Sequence, residues 1–176
     1  MSKRSEFVRE IINNLRRVFQ VVNEQSKKVE HETGLTGPQL WAIKIIAQEA
    51  PIMVSEIARR MYLHPATVVG ILDRLEKQGL VVRIRSSEDR RVVKVELTGQ
   101  GQALVKKSPE VAQGFLVAGL ERLGSAKLNN IARALDQMVG ILGAQNIPPQ
   151  LILSQEANKP DKKTIGTVRD KSAIRR

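Results

Sequence analysis

The hydrophobic period of this chain changes and then changes back, and few folds accommodate that order. Up to Gly79 the apolar residues recur at steps of three and four, the period of helices packed on one side. VVRIR (81–85) and VVKVEL (92–97) alternate in part instead, around the polar run SSEDRR. They predict two strands joined by a charged turn. From Thr98 the helical period resumes. A two-stranded hairpin is marginal alone in water, so this one must lean on the helices around it.

The helices can be placed by their stripes and punctuation. Residues 5 to 31 carry Phe7, Ile11, Leu15, Val18 and Val22 on one face, with Ile12 and Phe19 beside them, and Gly34 ends the stretch. Thr36-Gly37-Pro38-Gln39 reads as a capping box with Pro in the first turn. The helix it opens carries Leu40, Trp41, Ile43 and Ile46 and stops before Pro51. A short helix, VSEIARRM, follows with Ile57, Ala58 and Met61 on one face. Then comes HPATVVGILDRLEKQGL, with His64 as N-cap, Pro65 at the first helical position and Gly79 beyond the last turn. Val68, Ile71, Leu72 and Leu75 form its buried stripe. Pro65, Ala66, Thr67, Val69, Gly70, Asp73 and Arg74 are left outside, an unusually small and smooth face.

After Thr98, Leu104, Val105, Val111, Phe115, Leu116 and Leu120 supply apolar positions, and Pro109 kinks or restarts the helix. Ser125 is expected as the next N-cap. Leu128, Ile131, Leu135, Met138 and Leu142 then form a heptad-like seam, the narrow stripe of helix against helix. From Ala144 the composition shifts to Pro148-Pro149, Pro160 and a basic excess that need not fold.

Charge and composition narrow the function. The 176 residues include 29 Lys and Arg against 18 Asp and Glu, a net charge of +11 that points to a polyanionic partner. With no cysteine there is no disulfide framework, cysteine metal site or thiol chemistry. The two histidines, His31 and His64, are far apart, and no Gly-rich phosphate loop is present. No enzymatic activity, cofactor or metal is therefore expected. Aromatics make up only 3%, against recognition by stacking single-stranded bases. No apolar run approaches a membrane span and the N-terminus lacks a signal-peptide core, so a cytoplasmic protein without membrane contact is expected.

Three helices and a hairpin between long striped helices give the order of a winged helix-turn-helix. The expected fold is mostly α with a small β-hairpin. A recognition helix needs small or polar residues at its exposed N-terminal half to enter a major groove about 12 Å wide. Thr67 can hydrogen-bond a base edge or phosphate, Pro65, Ala66 and Val69 can meet thymine methyls, and Gly70 permits close approach. Arg74 sits one turn further on, where it would neighbour a backbone phosphate. The hairpin offers Arg83, Arg85, Arg90, Arg91 and Lys94 against Glu88 and Asp89. Its tip would place cations at the adjacent minor groove, whose potential attracts Arg.

At this point the residues resemble a known family. TVVGILDRLEKQGLVVRIRSSEDRRVVKVELTGQG (67–101) is similar to the signature of MarR-type (multiple antibiotic resistance regulator) transcription factors. The shared parts are Asp73 to Leu80, Arg83 and Arg85, the D-x-R of Asp89 to Arg91, and the L-T-x-x-G of Leu97 to Gly101. Leu35 to Gln39 matches the L-T-x-x-Q before the second helix. The resemblance implies a homodimer in which the terminal helices intertwine through Phe7, Ile11, Leu15, Leu128, Ile131, Leu135, Met138 and Leu142. It implies a repressor on a pseudo-palindromic operator, released by a small ligand. Arg91 would enter the minor groove, Asp89 would hold it by a charge-assisted hydrogen bond, and Arg90 would touch phosphate. Gly70 departs from the polar residue common in the family, and Met53 stands where a small hydroxyl cap is usual.

The chain divides accordingly into a dimerisation helix (5–34), a DNA-binding lobe (35–98), further dimerisation helices (99–144) and a basic tail (145–176). Trp41, Arg16 and His31 are the candidates to line an effector cleft. The competing reading is a sequence-neutral, architectural DNA-binding protein driven by net charge and the tail.

Overall fold

The computed structural model describes residues 2–85, 92–149 and 151. The elements run α1 (Lys3–Thr33), α2 (Gly37–Glu49), β1 (Ile52–Met53), α3 (Val54–Met61), α4 (Pro65–Lys77), β2 (Val81–Arg85), β3 (Val93–Leu97), α5 (Gly99–Lys107), α6 (Ala112–Glu121) and α7 (Ser125–Ile141). The fold is mostly helical with a small antiparallel sheet, a winged helix-turn-helix carrying long flanking helices.

The sheet differs from the two-stranded expectation. Its order is β1-β3-β2, with Ile52 opposite Val95, Met53 opposite Lys94, and β2 paired along β3 from Val81–Leu97 to Arg85–Val93. The added strand is two residues long, too short for an alternation to mark it in sequence.

Local chemistry sets most boundaries. Gly34 and Gly79 close α1 and α4 at φ of 69° and 70°, the left-handed region that a side chain would resist. After α4 the Leu80 N–H returns to the Leu75 carbonyl at 3.0 Å, completing the terminal turn. Gln39 Oε1 accepts from the Thr36 N–H at 2.9 Å, the reciprocal half of the capping box. The expected cap at Ser125 is corrected by one residue: Gly124 holds the extended cap conformation and Ser125 begins the helix. Near Pro109 the helix restarts, α5 ending at Lys107 and α6 beginning at Ala112.

The core belongs to the lobe. Leu35, Leu40, Ile43, Ile46, Ile57, Val68, Leu72, Leu75, Val81 and Val95 are fully enclosed, drawn from the link before α2, from α2, α3 and α4, and from the sheet. Each such side chain contributes about 1.5–3 kcal/mol by leaving water. The flanking helices are built differently. Val29 is the buried residue of α1, while α6 and α7 bury none. Phe7 is 59% exposed, Ile11 52%, Leu135 54% and Leu142 78%, so the stripes read from sequence stand open in the single chain.

Candidate nucleic-acid interface

The site begins with the way α4 is capped. The His64 side chain accepts from the Ala66 N–H at 3.2 Å, and Pro65 takes the first helical position, where its missing N–H costs nothing. Val68, Ile71, Leu72 and Leu75 face the core. That orientation turns Pro65, Ala66, Val69 and Gly70 to solvent, with Thr67 and Arg74 half-buried at the margins. A Cβ built on Gly70 would meet no atom within 4 Å, so the helix is bare at that point. Of the outward face expected from sequence, Pro65, Ala66, Val69, Gly70 and Asp73 are exposed, while Thr67 and Arg74 are half-buried.

The hairpin is fastened to this helix by Arg83. Its Nη2 donates to Asp73 Oδ1 at 2.6 Å, its Nη1 to Glu76 Oε2 at 2.7 Å, and Nη2 also reaches the Val69 carbonyl at 3.4 Å. Arg83 thus spans from β2 to two carboxylates one turn apart on α4. A guanidinium is suited to this because its donors form a rigid fork. The contact fixes the hairpin's angle to the helix and offsets part of the negative charge those acids would turn toward a polyanion. Arg85, two residues on along the strand, is exposed. Sequence reasoning grouped the two arginines together. Their environments separate them into one that braces the wing and one open to solvent. Asp89, Arg90 and Arg91, expected at the wing tip, lie outside the described residues.

A second fastening joins the hairpin to α5. The Thr98 hydroxyl donates to the Gly79 carbonyl at 2.6 Å and accepts from the Gly101 N–H at 3.0 Å, while the Thr98 N–H donates to the Leu80 carbonyl at 3.1 Å. A Cβ on Gly101 would stand 2.1 Å from the Leu80 carbonyl oxygen. This is the physical content of the L-T-x-x-G pattern: Thr caps the helix, and Gly lets it lie on the backbone at the end of α4.

The helix-turn-helix is braced from behind by residues that sequence reasoning passed over. Glu56 accepts from Arg59 Nε at 3.0 Å, Arg59 Nη2 at 2.6 Å and Arg60 Nε at 3.2 Å. Hydrogen bonds from Arg59 and then Arg60 hold its carboxyl at about 2, below the ordinary 4.5. Arg60 also pairs with Glu49 at the end of α2. The i, i+3 and i, i+4 spacing of Glu56 with the two arginines was visible in the sequence. Tyr62, in the turn before α4, has a positive φ of 52° and donates its hydroxyl to Glu121 Oε1 at 2.7 Å, which ties the turn to the end of α6. That hydrogen bond to a carboxylate raises the phenol's pKa.

The three effector candidates do not converge. Arg16 is exposed and donates to Asn13 Oδ1 at 3.2 Å, and His31 is exposed in the last turn of α1. They are 15 positions apart, about 22 Å along the helix. Trp41 is half-buried and lines a cavity of about 520 Å³ with Lys44, Arg59, Arg60, Glu110 and Phe115. Its indole lies against Gly114, where a Cβ would stand 3.4 Å from Nε1. Among the described residues no group of three or more possible metal ligands occurs, and no helix is long and apolar enough to cross a membrane.

Comparison with known proteins places this arrangement. The MarR family model matches residues 35–93, the span from the α2 cap to the start of β3. The HTH-type transcriptional regulator FarR of Neisseria gonorrhoeae is 30% identical over 122 residues, covering 69% of this chain and 84% of that protein. The crystal structure of a MepR-like protein complexed with pseudoligands aligns with 82% of this chain and 100% of its own, at 25% identity and a TM-score of 0.50. Reduced AbfR bound to DNA shares the fold at 22% identity and a TM-score of 0.51, over 79% of this chain and 98% of its own. The matched span takes in the capped α4 with its bare face and the strand that carries Arg83, and this chain belongs to the MarR family of transcriptional regulators.

Proposed function

We propose that this protein is a homodimeric regulator that binds double-stranded DNA sequence-specifically, as a ligand-responsive repressor on a pseudo-palindromic operator. The observation that carries the reading is the face of Pro65, Ala66, Val69 and Gly70, bare to solvent beside a hairpin that Arg83 holds at a fixed angle. Such a helix can enter a groove without displacing bulky side chains, and a rigid hairpin reaches the neighbouring groove with little lost entropy. In this reading Thr67 and the α4 face meet bases. Arg74, Arg85 and Arg90 meet phosphates, and Arg91, oriented by Asp89, enters the minor groove. Arg83 contributes by holding the wing.

Dimerisation supplies the missing cover for α1 and α7. Phe7, Ile11, Leu128, Ile131 and Leu135 are all exposed in the single chain, and an uncovered apolar seam on two helices is what an intertwined dimer buries. The cavity beside Trp41, where Lys44, Arg59 and Arg60 each pair with a carboxylate and Glu110 and Glu121 share the walls, is the place this reading gives to an effector. Arg16 and His31 are not among the residues that line it.

The test is selection of bound sequences from random duplex, followed by affinity measurement over a salt series. The expected site has two half-sites about 10 base pairs apart, and affinity falls with salt as counterions are released. Arg91→Ala is expected to weaken operator binding strongly without changing the fold. An affinity for random duplex equal to that for the best selected site would reject specificity and favour the sequence-neutral, architectural reading.

A further inference from the structure

Ten residues past the end of α7 the chain returns to the lobe. Leu151 is half-buried and packs against the buried core. It lines an apolar cleft of about 220 Å³ with Pro38 and Trp41 of α2, Met61 and Leu63 flanking the turn before α4, and Leu116 and Val117 of α6. Ile147, four residues earlier on the same segment, is 66% exposed, so the insertion is particular to Leu151. From residue 152 onward the sequence carries seven Lys or Arg against three acids.

We propose that Leu151 is an intramolecular anchor: packed on the core and sharing a cleft with Trp41, Met61 and Leu63, it ties the chain after α7 to the DNA-binding lobe, so that the sequence leading into the basic residues leaves from the lobe. The chemistry of the cleft fits this occupant. The lobe and α6 both present apolar walls, and one aliphatic side chain from the chain itself covers both without burying a charge. The segment is already tethered by α7, so the contact forms at high effective concentration and needs little intrinsic affinity. Without the anchor the tail's cations would start from the free end of α7. With it the chain that leads into them leaves from the lobe that carries the recognition helix. This second half of the inference rests on the DNA-binding reading above.

The protein contains a single tryptophan, Trp41, and it lies in the cleft, so its emission reports the anchor directly. In the full-length chain, Leu151→Asp and Leu151→Ser are expected to red-shift Trp41 emission and at least double its quenching by acrylamide. Leu151→Met is expected to behave as the parent. Circular dichroism identifies any variant that fails to fold, and the serine variant then decides the outcome. Parental emission and quenching in the folded Asp or Ser variant would overturn the anchor. Mixing the Leu151→Asp chain with a Trp41→Phe chain identifies the source of the leucine. Recovery of parental emission would mean that a second copy supplies it and would overturn the intramolecular assignment. The tail's role is read separately, by the dependence of log affinity on log salt for duplex DNA. The parent should show a slope steeper by about one unit or more than Leu151→Asp, which has the same basic residues unanchored. Equal slopes would overturn the link between the anchor and DNA binding. A chain that bound no DNA would sink the functional reading while leaving the Trp41 result to stand by itself.

Discussion

Gly70→Ala separates what α4 needs to fold from what it needs to function. The position is inside a 13-residue helix, exposed, with no atom within 4 Å of where the new methyl would lie. In the folded chain the substitution therefore adds helix propensity and no clash, a gain of about 1 kcal/mol. For a chain of this size that corresponds to a rise in melting temperature of about 2–4 °C. On DNA the sign reverses if this face enters the groove. A methyl inserted into a close contact costs about 1–3 kcal/mol, a factor of about 5 to 150 in affinity for each half-site. The assay pairs thermal unfolding by circular dichroism with operator titration at fixed salt. A variant that melts higher and binds more weakly supports the assignment. A lower melting temperature would show that the position is not open. Higher stability with unchanged affinity would show that Gly70 does not approach the DNA.

Gly101→Ala should behave in the opposite way, because its Cβ meets the Leu80 carbonyl oxygen at 2.1 Å. Backbone must move, the hydrogen bonds around Thr98 weaken, and even after the helix-propensity gain we expect a loss of about 2–4 kcal/mol by denaturant unfolding. Arg83→Met should lower operator affinity, since it frees the hairpin and leaves the charges of Asp73 and Glu76 unopposed. Its ion pairs are partly exposed, so the melting temperature should move by no more than about 4 °C, and adding Asp73→Asn should restore part of the affinity. Glu56 titrates at about 2 in the folded chain against an ordinary 4.5, so its stabilising effect is complete above 4.5 and is lost as pH falls toward 2. The melting temperatures of the parent and Glu56→Gln should accordingly differ at pH 6 and converge across that interval, and a constant difference would refute the pairing.

Much of this molecule was legible in its sequence, because its signals are local. Helix positions followed from apolar steps, their ends from Gly34, Gly79 and the Thr36–Gln39 box, and the hairpin from a change of period. The small outward face of α4 was legible as soon as the stripe of Val68, Ile71, Leu72 and Leu75 was assigned to the core. Each of these depends on residues within one or two turns of each other, where covalent geometry fixes what can meet. Tertiary structure decided the rest. Arg83 and Arg85 look alike in sequence, and only the approach of β2 to α4 gives one of them two carboxylates and leaves the other open. The need for glycine at 101 comes from the Leu80 carbonyl, and the partner of Tyr62 is 59 residues away. Neither the two-residue strand at Ile52–Met53 nor the return of Leu151 to the lobe leaves a periodic trace. Sequence determines which face of an element seeks cover, since side-chain period is a property of the backbone. What provides that cover depends on how distant segments meet, and only packing decides it.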